Sequence, residues 1–313
     1  MEERGMNERI KKLRRQSVDT PARIYMERAD LMTDAYKMYE GSVSVPEMRA
    51  LAFKYFMEHK HLCINDGELI VGEKGDGPQK SPTFPELCCH TLEDMHVMND
   101  RELISFKVTD EDLKLQKEKI IPYWEKRSIR HKIINAMTPE WRDCYESGIF
   151  TEFMEQRGPG HTVGSQKIYT KGFLDYQKDI QDAIDKLDFL NDPEALDKQN
   201  ELKAMSIACD AIMILGKRYA AMAREMAEKE TDPVRKEELL QIAHNCDVVP
   251  AHKPETYWQA IQMYWFVHLG VTTELNPWDA YSPGRLDQHL YPFYEHDVEA
   301  GILEHSNCSN VCG

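Results

Sequence analysis

Between Pro254 and Leu269 the chain is apolar on almost every side of a helix, with Gln259 and Gln262 the main polar interruptions before Gly270. A surface helix carries one apolar stripe, and a helix without a polar face has to be covered on most sides. The segment therefore predicts a helix buried inside a folded body and closed by Gly270. Immediately beyond it, Val271-Thr272-Thr273-Glu274-Leu275 reads as a strand, as does Glu68-Leu69-Ile70-Val71 between Gly67 and Gly72. A helix, a glycine and a short β-rich run fit an αβ unit of a barrel or layered α/β fold.

The cover for such a helix has to come from other helices, and the sequence marks where they start. Ser44-Val45-Pro46-Glu47 combines a capping residue, an early proline and a glutamate three positions on, which predicts a helix to about His59. Thr91-Leu92-Glu93-Asp94 and Thr109-Asp110-Glu111-Asp112 open two more. Asp192-Pro193 begins a long helix to about Glu230, with Leu202, Met205, Ala208, Ile212 and Leu215 at three- and four-residue steps, and Asp232-Pro233 begins the next. Leu286 to Ala300 is amphipathic and is closed by Gly301. Gly72 to Pro85 is irregular by its glycines and prolines, as is Gln156-Arg157-Gly158-Pro159-Gly160-His161-Thr162.

At 313 residues with 42% hydrophobic side chains, the chain is long enough for a substantial interior. Its 39 basic against 54 acidic residues leave −15, a surface that repels nucleic-acid phosphates and anionic lipid, so nucleic-acid and membrane roles are disfavoured. The longest apolar runs, Ala211–Leu215 and Met263–Val267, fall far short of the roughly 18 residues of a spanning helix. Residues 1–9 lack the apolar middle of a secretory signal, so a cytoplasmic location is expected. Eight scattered cysteines in a chain of this size suggest free thiols in a reducing compartment.

Few side-chain groupings point to chemistry. Arg157-Gly158-Pro159-Gly160-His161-Thr162 joins a fixed-φ proline, two permissive glycines and an imidazole in one turn that lets backbone approach a ligand; the plainer reading is a well-built loop with a locally bonded His161. Asp279 follows the strand expected at 271–275, where α/β folds collect catalytic groups, although Asn276-Pro277-Trp278-Asp279 also reads as a capped turn. Arg285 and Asp287 suit holding that loop better than reacting. Cys88-Cys89-His90, with His96 and Cys63, makes a poor metal site because adjacent cysteines do not converge on one ion, and no metal is expected. His268 shares a helix face with Tyr257, Ile261 and Trp265 and reads as a core histidine. Phosphate loops, GxSxG, HExxH and Rossmann fingerprints do not occur.

Ile64-Asn65-Asp66-Gly67-Glu68-Leu69-Ile70-Val71-Gly72, the Arg157–Thr162 loop, Val249-Pro250-Ala251 and Pro283-Gly284-Arg285-Leu286-Asp287-Gln288 together resemble the N-terminal part of a glycyl radical enzyme of the pyruvate formate-lyase-like family. Within the family, Phe150-Thr151-Glu152-Phe153-Met154-Glu155-Gln156-Arg157 and Thr272-Thr273-Glu274-Leu275-Asn276 resemble the branch that dehydrates a hydroxylated proline. The resemblance implies a mostly α fold with some β (α/β), a helical N-terminal region followed by part of a ten-stranded β/α barrel. It spans residues 1–304, and 305–313 reads as an aberrant tail after an interruption.

The family likeness also implies an anaerobic dehydratase with a glycyl radical as its cofactor, installed by a partner activase that uses S-adenosylmethionine and an iron–sulfur cluster, and a homodimer when complete. His161 and Asp279 match positions facing the substrate hydroxyl, and Phe153 one that packs against the ring. The sequence contains neither a Gly-Cys-x-Glu loop for the thiyl cysteine nor an Arg-Val-x-Gly-Tyr stretch for the radical glycine. The expectation is therefore a piece of the enzyme that is inactive and association-prone alone. Other readings on the same residues are a C–C lyase, a diol dehydratase, or a non-catalytic helical binding protein on this scaffold.

Overall fold

The computed structural model describes residues 7–149, 163–275 and 282–303. Along them run α1 (Glu8–Asp19), β1 (Arg23–Tyr25), α2 (Glu27–Tyr39), α3 (Val45–His59), β2 (Lys80–Pro82), α4 (Leu92–Asp100), α5 (Asp110–Leu115), a π turn (Gln116–Ile120) and α6 (Ile121–Trp124). There follow α7 (Ile129–Ala136), α8 (Pro139–Glu146), α9 (Lys167–Thr170), α10 (Phe173–Ile184), α11 (Ala195–Lys229), α12 (Pro233–Val248), α13 (Tyr257–Leu275) and α14 (Leu286–Glu299). The fold is mostly helical, as expected. Among the described residues, strands are limited to β1 and β2, which pair in parallel with Ile24 opposite Ser81.

The caps read from the sequence are made except at α11, which starts at Ala195 rather than at Asp192-Pro193 and has no side-chain cap bond from Glu194. Ser44 with Glu47, Thr91 with Asp94 and Thr109 with Asp112 each exchange bonds reciprocally, satisfying donors that the first helical turn leaves orphaned. Asp232 Oδ1 accepts from Val234 N–H (3.1 Å) at the head of α12, and Gly301 at φ +70° follows α14.

α11, 35 residues and so about 50 Å long, is the spine. Its fully buried Ala220, Ala223 and Ala227 leave room for Leu239, Ile242, Ala243 and Cys246 of α12, and Phe53, Phe56 and Met57 of α3 fill the same core with Phe266 of α13. Each of the large side chains contributes roughly 1.5–3 kcal/mol by leaving water. The stripe expected on α11 is displaced near its start: Met205 is exposed and lines a surface groove with Ala183 of α10 and Leu187 beyond its end, while Ala204 turns inward.

Two expected strands are corrected. Residues 271–275 continue α13, because Gly270 does not stop the helix: its missing Cβ admits Ile212 of α11, whose Cδ1 lies 2.4 Å from where that atom would be. Thr272 turns its hydroxyl back onto the carbonyls of His268 (3.0 Å) and Leu269 (3.2 Å), so a β-branched residue is accommodated within the helix.

Residues 68–71 form no strand. Their backbone bonds instead to side chains of α13 at helical spacing: Trp258 Nε1 donates to Leu69 O (2.9 Å), Gln262 accepts from Val71 N–H (2.9 Å) and donates to Val71 O (2.8 Å), and Trp265 Nε1 donates to Gly72 O (2.7 Å). Arg235 Nη1 completes the grip on Glu68 O (2.8 Å). The glutamines that interrupt the apolar segment are thus among its most buried residues.

Candidate active site

Of the site residues expected from the sequence, Phe153 and His161 lie in 150–162 and Asp279 in 276–281, both outside the described residues. The described roots of these two segments meet. Val163, two positions after His161 and buried, donates its N–H to the carbonyl of Ser282, three positions after Asp279 (3.1 Å). After Val163 the chain turns through Gly164 and Ser165, both at positive φ, and α9 buries Ile168 and Tyr169 against Ala260 and Met263 of α13 and Leu290 of α14. The root of the histidine segment is therefore seated on the helices that flank the aspartate segment.

The opposite root, the end of α13, lies in a cluster of charges. Arg28 of α2 donates from Nε to Thr273 O (2.7 Å), from Nη1 to Thr83 O (3.2 Å) and pairs with Glu86, its guanidinium 3.9 Å over the Phe84 ring. Arg49 of α3 pairs with the Glu274 carboxylate and donates to Glu274 O (3.3 Å). Burial pushes the Glu274 carboxyl above its ordinary range while Arg49 and Arg28 pull it back, and Arg49 is raised by Glu274 beside it. Glu274 Oε2 is buried with no hydrogen-bond partner.

Sequence reasoning missed this cluster. One signal was available: Glu274 is the only charged side chain in the nineteen residues of α13, its histidine aside. Arg28 gave none, because it sits among other charges in Glu27-Arg28-Ala29-Asp30.

The remaining candidates resolve more plainly. His268 is half-buried rather than a core residue, stacked on Trp265 and within 3.3 Å of the Tyr264 hydroxyl; burial, and then Lys74, lowers its pKa. Arg285 reaches Gln288 (3.4 Å) at the entry to α14. Burial raises the Cys63 and Cys89 thiols to about 12, which keeps them protonated and poor ligands. Among the described residues no three histidine, cysteine or acidic side chains converge as a metal site, and no helix is long and apolar enough to cross a membrane.

The chain is 63% identical to trans-4-hydroxy-L-proline dehydratase of Clostridioides difficile over 98% of its own length, and spans 39% of that protein. The crystal structure of the hydroxyproline dehydratase of the same organism, with trans-4-hydroxy-L-proline bound, superposes with a TM-score of 0.95, again covering 98% of this chain and 39% of the other. A structure concerned with 1,2-propanediol dehydration in Roseburia inulinivorans superposes at 0.91 with 29% identity, covering 98% of this chain and 36% of the other. Residues 6–312 match the family described as Pyruvate formate lyase-like, and the chain belongs to that family.

Proposed function

We propose that this chain forms the substrate-holding wall of a glycyl radical dehydratase that removes water from trans-4-hydroxy-L-proline to give a pyrroline carboxylate. The observation that carries the reading is the 63% identity extending over 98% of the chain. The bond between Val163 and Ser282 supports it, since connectivity alone then keeps the segments with His161 and Asp279 starting from one place.

Hydroxide is a poor leaving group, and a placed acid that protonates it contributes about 10²–10⁴-fold. A protonated His161 beside the Asp279 carboxylate suits that role, because the carboxylate raises the imidazole pKa toward working pH. Phe153 would pack against the pyrrolidine ring. Hydrogen removal next to the ring nitrogen is radical chemistry whose sequence stretches this chain does not contain. The activase, the dimer, the anaerobic setting and the cytoplasmic location belong to the same reading.

The test joins this chain to the remaining part of the Clostridioides difficile dehydratase, activates the product anaerobically, and offers trans-4-hydroxy-L-proline beside 1,2-propanediol. Pyrroline carboxylate formation is expected, with His161→Gln slower by about 10²–10⁴-fold. Turnover of the diol alone, or full activity in the variant, would refute the assignment.

A further inference from the structure

None of the twelve residues of α1 is buried, so this helix takes no part in the core. An isolated helix of that length is marginal in water even when capped, and the cap here is Asn7, whose Oδ1 accepts from Ile10 N–H (2.9 Å). Contacts other than core burial therefore keep α1 helical and in place.

The contacts that tie it down are mostly charged. Arg9 pairs with Glu238 of α12, and Lys12 pairs with Asp66 in the turn before the 68–71 stretch. Gln16 Nε2 reaches Asp66 O at 3.5 Å, and Gln79 Nε2 donates to Ser17 O (2.9 Å). Apolar support is slight: the Arg9 stem and Leu13 lie over Gly67, 3.8 and 4.0 Å from where its Cβ would be, on a turn that Gly67 makes at φ +86°. The helix carries five basic against two acidic side chains, in a chain of net charge −15. Lys12 and Asp66 are exposed and Arg9 and Glu238 half-buried, so salt reaches and screens both pairs.

The receiving side is built without α1. Glu238 is held by Arg235 Nη1 (3.0 Å), which also donates to Glu68 O (2.8 Å). The carboxylate that takes Arg9 thus has its own support in the body, and α1 can leave and return to a standing site.

We propose that α1 is a strap latched by charge. It closes over the Gly67 turn at low ionic strength, and it unlatches and melts, with the rest of the fold intact, when salt screens Arg9–Glu238 and Lys12–Asp66.

The test is amide hydrogen exchange on the full chain in dilute solution, at about 20 mM and about 500 mM sodium chloride, on either side of the range where surface pairs become screened. Exchange within residues 10–19 should be about tenfold faster at the higher salt. Amides of α11 around Tyr219 should keep their rates, which separates unlatching from general unfolding. The double variant Asp66→Asn, Glu238→Gln removes both receiving carboxylates and should exchange fast within 10–19 at both salt concentrations. A rate in the unsubstituted chain that does not rise with salt, a rise shared by α11, or a double variant that still closes at low salt would each overturn the proposal.

Discussion

Lys60 shows how much a single side chain can depend on contacts that sequence does not display. It follows α3, is fully buried, donates to the Glu73 carbonyl and lies 5.6 Å from the Phe56 ring centre. Burial pushes its ammonium down to about 8, against which Glu27 and then Cys63 and Glu73 pull upward. An unfolded lysine titrates near 10.4, so between about 8 and 10.4 the unfolded chain binds more protons and stability from this group rises with pH. Below that window the buried charge opposes folding in full. Lys60→Met should therefore flatten the rise in urea midpoint between pH 8 and pH 10; an identical slope in both proteins would mean that the ammonium is better solvated than its burial implies. At the same scale, turn chemistry marked His161 and its place after an expected strand marked Asp279, Phe153 and the three roles came only through family likeness, and Arg28 and Glu274 were not singled out at all.

Among the elements, α10 is placed by a close approach. Phe173 and Leu174 donate their N–H groups to Pro250 O (2.9 Å) and Ala251 O (3.1 Å), and the neighbouring Gly172 lies so near this turn that an added Cβ would sit 2.2 Å from Ala251 O. The obstacle is backbone, which cannot rotate away. Gly172→Ala is thus expected to cost about 1–3 kcal/mol, read as a lower urea midpoint at unchanged slope. An unchanged midpoint would show that the turn yields. Element starts were legible because a cap and its helix lie within four residues of each other. The end of α13 was not, because Gly270 and the β-branched run after it are helical only by virtue of Ile212 and of hydroxyls turned back on the helix. The 68–71 segment failed as a strand for a related reason: Leu69 and Val71 bond to the side chains of Trp258 and Gln262, and Glu68 O to Arg235.

For the whole molecule, the apolar surface stands out against a net charge of −15. Leu190 is 94% exposed, Leu103 81% and Ile104 80%, Phe189 and Leu196 are exposed as well, and Leu187, Leu202 and Met205 line the groove beside α10 and α11. An exposed apolar surface of this extent, if it is shared between copies, favours association over a dispersed monomer. Sedimentation of the isolated chain should show a weight-average mass that climbs with concentration, and climbs further at high salt as charge repulsion is screened. One species at the mass of a single chain throughout would contradict this.

The sequence by itself determined α3, α4, α5, α12 and α14 with their starts, the presence of α11 and α13, the burial of the 257–269 region and the family, because periodicity and capping are local and motif residues are read directly. Only the tertiary structure decided that 68–71 bonds to side chains, that α13 runs through Gly270, and that two arginines from α2 and α3 hold its end. Those outcomes depend on partners distant in sequence, Ile212 for Gly270 and side chains about two hundred residues away for the other two, and no local pattern encodes which distant side chain will arrive.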